Sequence, residues 1–224
     1  MAHKLTVKQV INVQRKELTS LMSGVDTCRR LNNVNWLRNE ISFTESVTLF
    51  YMPRSQQKMH LDFTCISNIG KAYDYIVANM DAHIDIDEIH KIHRILRMGM
   101  VGDQRMTGND RCHIPSEINH ILYNLHNSRE DVLTRAITIH HELIELQPFD
   151  DFNKRTSRLI MNWILVKNGY TPIIFNKPKD KVNYPRQLIA VFGGDKKSYR
   201  DYMLHCMART QSDIIKVLRP TKAL

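Results

Sequence analysis

The sequence has few of the features that mark secreted, zinc-binding or membrane proteins. Its 224 residues contain four cysteines, Cys28, Cys65, Cys112 and Cys206, and no two of them form a C-x-x-C pair. This scatter matches neither a zinc site nor a disulfide framework, so we expect a reduced, cytoplasmic setting. No run approaches the roughly 18 apolar residues that span a membrane, and the first residues do not have the apolar core of a signal peptide.

The chain also lacks a long basic run and lacks aromatics interleaved with basic residues. Its net charge is +9 at pH 7, but the 32 lysines and arginines are spread along the sequence, and aromatics make up 8% of residues. Nucleic-acid-binding proteins gather their basic residues into a patch or stripe. We therefore do not expect nucleic acid as the main partner, and a basic nucleic-acid binder is kept only as an alternative function.

What the sequence does contain is the apolar periodicity of helices. Apolar residues recur three and four apart in most segments, as they do on the buried face of a helix. A length of 224 residues is sufficient for a sizeable core. The pattern predicts an all-α bundle. The predicted helices cover residues 7–21, 26–39, 61–80, 82–98, 131–144, 159–168, 183–192 and 197–207.

Residues 146–158 connect two strongly apolar helical patterns. Pro148 ends the first helix, because the residue before a proline is disfavoured in the helical conformation. The stretch is therefore interpreted as a short loop that opens the next helix, whose first N–H groups have no partners and attract anions. Asn153 suits the N-cap of that helix, since its side chain can accept from those N–H groups.

Charged side chains follow the loop at spacings that suit a phosphate. Arg155 and Arg158 lie one turn apart, so they project from one helix face, and Lys154 adds a third positive charge. Asp151 offers a hard carboxylate that could hold Mg²⁺ against phosphate oxygens. Taken singly, each of these charges also fits the solvated start of a helix. Taken together, they predict a phosphate-binding loop.

The same stretch resembles the signature of the Fic/Doc (Fido) family, H-x-F-x-[D/E]-[G/A]-N-[G/K]-R-x-x-R. The residues that match in register are Phe149, Asp151, Asn153, Lys154, Arg155 and Arg158. The resemblance extends over about residues 81–207. It implies a Fic-like helical core domain over 81–210, preceded by an N-terminal helical region over 1–80 and followed by a tail over 211–224.

Residues 99–115 are the exception to the helical pattern. The glycines Gly99, Gly102 and Gly108, together with the run from Arg111 to Ile114, suggest a hairpin there. In the Fic family this position holds the flap, a short β-hairpin that aligns an extended segment of the target protein by strand addition. The resemblance therefore implies a target protein docking at this flap, although the sequence alone fits a plain connecting loop equally well. The implied docking residues are Arg111, Cys112, His113 and Ile114.

The resemblance also implies a ligand and a reaction. The ligand would be ATP or another nucleoside triphosphate with Mg²⁺ on Asp151, and the reaction would transfer AMP or a phosphoryl group to a hydroxyl side chain of a target protein. Lys154 in place of glycine resembles the Doc-like branch and leaves both transfer types open. The implied phosphate-binding residues are Phe152, Asn153, Lys154, Arg155 and Arg158.

Two positions depart from the family pattern. Phe152 replaces the usual glycine or alanine, and Gln147 replaces the histidine that serves as general base. An amide has no useful basicity, and losing a general base costs roughly 10²–10⁴-fold in rate. The chain could then be a nucleotide-binding or partner-regulating module without transfer, or an enzyme disarmed by an introduced change. Alternatively, His140, His141 or His113 could replace the missing base.

Overall fold

The structure is a computed structural model that describes residues 5–23, 56–99, 114–175 and 177–218. Within these ranges every regular element is a helix, which confirms the all-α prediction. The helices are α1 (Val7–Ser23), α2 (Gln56–Ala78), α3 (Ile86–Arg97), α4 (Ile114–Asn127), α5 (Val132–Leu146), α6 (Asn153–Lys167), α7 (Asp180–Phe192) and α8 (Lys196–Leu218). Each helix in these ranges is too short or too polar to cross a membrane.

The helices group into two compact units. One unit, called the terminal unit here, combines residues 1–36 with 168–224, and the other, the central unit, covers 37–167. Helices α1, α7 and α8 belong to the terminal unit, and α2 to α6 belong to the central unit. These units do not coincide with the predicted boundaries at 80 and 210.

Helix α3 illustrates how the sequence encodes the elements of the central unit. The side chain of Asp85 caps its first turn by accepting from the Glu88 N–H at 3.0 Å. Ile89, Ile92 and Leu96 recur three and four apart and are fully buried. The cap and the apolar spacing together fix both where the helix begins and which face it buries.

Helix α4 was not among the predicted helices. Ile118, Ile121, Leu122 and Leu125 are buried along one face at helical spacing, so the signal was present in the sequence. The helix begins at Ile114, which the prediction had assigned to the end of the hairpin. The helical pattern therefore extends two residues into the predicted hairpin.

Other predictions fall on residues that the structure does not describe. They are the helix over 26–39 and most of the hairpin, including Arg111, Cys112 and His113. The target-docking role of these residues stays a prediction.

In the terminal unit, Arg15 of α1 holds the chain that leaves α6. Its guanidinium donates to the carbonyls of Asn168 and Gly169 at 2.9 and 3.0 Å. It also lies over the ring of Tyr170, 4.3 Å from the centroid. Gly169 has a φ of +72°, a left-handed conformation that suits glycine at the end of a helix.

A buried ion pair joins α7 to α8 in the same unit. Asp180 is 2% exposed and accepts from Arg209 at 2.6 and 3.2 Å. The Tyr202 hydroxyl donates to the same carboxylate at 3.2 Å. Because the carboxylate has several partners, its burial is compensated, and the first turn of α7 is fixed against α8.

Candidate functional site

The loop between α5 and α6, residues 147–152, begins and ends in the left-handed backbone region. Gln147 is the C-cap of α5 with φ 48° and ψ 60°, and its N–H donates to the Leu143 carbonyl at 3.2 Å. Phe152, directly before α6, has φ 62°. These are the two non-glycine residues with positive φ among those described. Such conformations cost roughly 1–2 kcal/mol each, so other contacts must hold the loop in place.

The side chain of Asn153 is the first of these contacts. Its Oδ1 accepts from the Phe149 N–H at 3.0 Å, and its Nδ2 donates to the Phe149 carbonyl. The predicted N-cap role of Asn153 is therefore wrong, because the peptide of Phe149 occupies both ends of its amide. The Phe152 carbonyl closes the first turn instead, accepting from the N–H groups of Arg155 and Thr156 at 3.0 and 2.8 Å.

Helix α3 supplies the second set of contacts. The ring of His93 stacks on Phe149 with centroids 3.7 Å apart and planes at 5°, and His90 meets the same ring edge-on at 5.6 Å. The Nε2–H of His93 donates to the Asp151 carbonyl at 3.2 Å. Burial lowers the pKa of His93 to about 4, so the ring is neutral at pH 7. Sequence reasoning missed this histidine, which lies on the same buried face as Ile92.

The end of the loop presents N–H donors and a carboxylate together. Asp151 is exposed, and its Oδ1 accepts from the Phe152 N–H at 2.6 Å. Among the described residues, the N–H groups of Asn153 and Lys154 have no acceptor. Unpaired N–H groups at a helix N-terminus attract anions. The first turn of α6 therefore offers two open donors beside the carboxylate at the end of the loop.

The arginines predicted to bind phosphate occupy different environments. Arg155 is half-buried; its guanidinium lies 4.7 Å from the centroid of the Phe152 ring, and its Nη1 is 3.7 Å from Cys65 Sγ. Phe152 thus places a buried ring at the position where the family pattern usually has glycine or alanine, and this ring lies against the Arg155 guanidinium. Arg158 is half-buried one turn further into α6 and lies close enough to His140 to influence its charge.

Two of the predicted replacements for the missing base lie inside the core. His140 is fully buried, and this burial, followed by the charge of Arg158, holds its pKa well below the usual range. His141 is 4% exposed, and its Nδ1 lies 3.2 Å from the Ile137 carbonyl. A buried imidazole cannot reach a substrate hydroxyl, so neither histidine can replace Gln147, which is exposed. The third candidate, His113, lies outside the described residues.

The structure therefore defines a helical protein with an anion-attracting loop between two packed helices. Comparison with known proteins finds a family match over part of the chain. The sequence model of the Fic/DOC family matches residues 83–165, which include the loop and the helices α3 to α5. Residues 83–165 are therefore similar in sequence to the Fic/DOC family.

Curated relatives match over part of the chain. It is 31% identical over 101 residues to "Protein adenylyltransferase Fic" of Drosophila virilis, covering 45% of this chain and 21% of the relative. It is 36% identical over 75 residues to the protein of the same name from Aedes aegypti, covering 34% of this chain and 15% of that one. The chain thus spans about a fifth, or less, of the length of these relatives.

Solved structures share the fold over nearly the whole chain. Residues 134–508 of Fic-1 from Caenorhabditis elegans align with a TM-score of 0.72 and 19% identity, covering 95% of this chain and 69% of that one. A Fic domain containing signaling protein from Bacteroides thetaiotaomicron aligns with a TM-score of 0.73 and 16% identity, covering 96% of this chain and 100% of that one. At these identities the likeness concerns the fold alone.

Proposed function

We propose that the loop over residues 147–152 binds the phosphates of ATP, or of another nucleoside triphosphate, with Mg²⁺. We further propose that the chain acts on a hydroxyl side chain of a target protein by transferring AMP or a phosphoryl group, and that Gln147 impairs this transfer. The observation that carries the proposal is the pair of open N–H groups on Asn153 and Lys154 beside the Asp151 carboxylate.

The phosphate oxygens would accept from these two N–H groups, where the helix dipole adds partial positive charge. Lys154 is exposed at the same turn and Arg155 is half-buried beside it, so both can neutralise phosphate charge. Arg158 adds a bidentate donor one turn further along α6. In phosphoryl-type transfer, positioning and charge neutralisation of this kind make up most of the catalysis.

The loop also fits the coordination chemistry of Mg²⁺. Within the described ranges, no three His, Cys, Asp or Glu side chains gather into a complete metal cage. Asp151 is exposed and uses Oδ1 for the Phe152 N–H, so its Oδ2 is available to a cation. Mg²⁺ in nucleotide sites typically takes one or two carboxylates and completes its shell with phosphate oxygens and water. A bound Mg²⁺ would neutralise charge on the transferred group.

Gln147 stands at the base position, and its exposed side chain can orient an acceptor hydroxyl but cannot take its proton. The target segment would dock at residues 111–114. The curated relatives named protein adenylyltransferases support AMP transfer as the general reaction.

Binding is tested by titration calorimetry with ATP and MgCl₂. We expect Arg158→Ala to raise Kd about tenfold or more, since it removes a charge-assisted pair. Arg129→Ala removes an exposed arginine outside the loop and is the matched control. Equal affinity in the wild type and Arg158→Ala would remove Arg158 from the site, and no heat with any variant would reject nucleotide binding.

Transfer is tested by restoring the base with Gln147→His. Histidine tolerates the left-handed backbone at this position, so the variant should fold. We expect labelling of the protein itself or of an added target to rise about 10²–10⁴-fold, and mass spectrometry of the adduct distinguishes AMP from phosphate. Gln147→Asn keeps an amide and should stay inactive. Nucleotide binding without any transfer by Gln147→His would instead favour a non-catalytic module.

A further inference from the structure

Helix α7 has two apolar faces, one buried and one exposed. One face is buried in the terminal unit, where Tyr184, Leu188 and Val191 pack inward. An adjoining face is exposed and is also apolar. We call it the α7 stripe, and it consists of Val182, Pro185, Ile189 and Phe192.

The side chains of the α7 stripe are unusually open to solvent. Ile189 is 72% exposed, Val182 51% and Phe192 42%. They recur at i, i+7 and i+10, with Pro185 at i+3, so they form one ridge along the helix. Ordinary exposed apolar residues are scattered singly, whereas a contiguous ridge marks a surface that another molecule covers.

Positive charge borders this ridge on both sides. With about 3.6 residues per turn, Lys181 lies along one edge of the stripe, and Lys179 and Arg186 lie along the other. All three are exposed. The acidic residue of α7, Asp180, points inward to Arg209 and contributes no charge to this face. An apolar ridge with a basic rim is complementary to an apolar surface with an acidic rim.

The backbone beneath the stripe favours a protein over a lipid surface. Pro185 has no N–H, so the Lys181 carbonyl lacks the helical donor that it would otherwise have four residues later. In hydrocarbon such an acceptor is costly to leave unpaired. A polypeptide can supply a donor to it.

We propose that the α7 stripe is a docking surface for an acidic amphipathic helix of a partner protein. The partner would place apolar residues three and four apart against Ile189 and Phe192, and aspartates or glutamates against Lys181 and Arg186. A second copy of this chain does not fit, because the same face would oppose bases to bases, and the whole chain carries a net charge of +9 at pH 7. The inference does not depend on the nucleotide site.

The test uses the full chain and two synthetic helical peptides. Both peptides carry leucines at i, i+3, i+4 and i+7; one has glutamates and the other has lysines at the flanking positions. We expect the glutamate peptide to bind at least about tenfold more tightly by fluorescence anisotropy, and its affinity to fall as salt is raised. Ile189→Ser should weaken its binding about tenfold or more.

Two variants separate this docking from general stickiness. Tyr123→Ser removes an exposed aromatic of α4 that is 65% exposed and should leave binding unchanged. The pair Lys181→Glu and Arg186→Glu should reverse the preference toward the lysine peptide. Circular dichroism checks that each variant is folded.

Three results would overturn the proposal. The first is equal binding of both peptides, and the second is a dimer in analytical ultracentrifugation that Ile189→Ser converts to a monomer. The third is sedimentation with phosphatidylserine vesicles that Ile189→Ser abolishes, together with no binding of the glutamate peptide. The second result would assign the face to another copy of this chain, and the third to an anionic membrane.

Discussion

Two connections between helices show opposite ways of making a left-handed turn. The link from α7 to α8 uses glycine: Gly194 has φ +96°, and a Cβ there would meet nothing within 4 Å. The Asp195 side chain then caps α8 by accepting from the Ser198 N–H at 3.0 Å. The link from α5 to α6 instead places Gln147 and Phe152 at φ 48° and 62°.

The difference teaches where the chain accepts backbone strain. The α7–α8 turn needs no further support, because glycine adopts positive φ without steric cost. The α5–α6 loop is held by Asn153 and His93, which bind its peptide groups, and by the stacked ring of Phe149. Strained backbone maintained by dedicated contacts is typical of functional sites.

Substitutions at Phe152 should have the largest effect on stability. Phe152→Ala removes a ring that is 6% exposed and keeps a Cβ at positive φ, so we expect a loss of about 3–4 kcal/mol. Phe152→Gly loses the same ring but relieves the strain, so it should be less destabilising by about 1 kcal/mol. Urea unfolding of both variants measures the difference. If alanine proves the milder change, the strain assigned to this residue is not present.

Asn153→Ala should be next in size. The substitution leaves the N–H and carbonyl of Phe149 without their partner, at a cost of about 2–3 kcal/mol. Asn153→Asp keeps the acceptor but loses the donor, so its stability should lie between those of the wild type and Asn153→Ala. Hydrogen exchange should also quicken at the Phe149 N–H. Unchanged exchange in Asn153→Ala would show that the loop keeps its shape without this contact.

His93 on α3 should make the free energy of unfolding depend on pH. The pKa of His93 is about 4 in the folded chain and near 6.5 when unfolded, so the unfolded state binds the extra proton between these values. This contribution to stability is present above pH 6.5 and is lost as pH falls toward 4. After solvent screening we expect roughly 2 kcal/mol.

The variant His93→Gln isolates this effect, because it keeps a donor for the Asp151 carbonyl and does not titrate. Unfolding at pH 7 and at pH 4.5 should show a steeper loss for the wild type than for the variant. Other buried histidines are common to both proteins and cancel in the difference. An equal loss of stability in the wild type and in His93→Gln would contradict the lowered pKa of His93.

The smallest effects on stability should come from replacing glycine by alanine in one turn and a non-glycine residue by glycine in the other. Gly194→Ala should cost about 1 kcal/mol, since the site has room for a Cβ but an unfavourable φ. Gln147→Gly should raise the free energy of unfolding by about 0.5–1 kcal/mol, because glycine adopts the positive φ of this position without steric cost. Thermal unfolding of the two variants should shift in opposite directions. Shifts of equal sign would contradict the contrast between the two links.

Local signals in the sequence were sufficient for most helices and for the loop. Pro148 and the apolar spacing around it predict where α5 ends and α6 begins, and both follow in the structure. The role of Asn153 was wrong because its partner, the peptide of Phe149, is in reach only once the loop has folded back. His93 was missed because its contact with Asp151 spans 58 residues. Pairings across such distances leave no periodic trace.

The order of the chain has a consequence for synthesis. In the sequence the central unit lies between the two parts of the terminal unit, since residues 37–167 separate 1–36 from 168–224. Helix α1 therefore has no packing partner until the residues of α8, Lys196–Leu218, have been synthesised. Domains generally fold as units during synthesis, so we expect the central unit, with its loop over residues 147–152, to fold before α1 packs against α8.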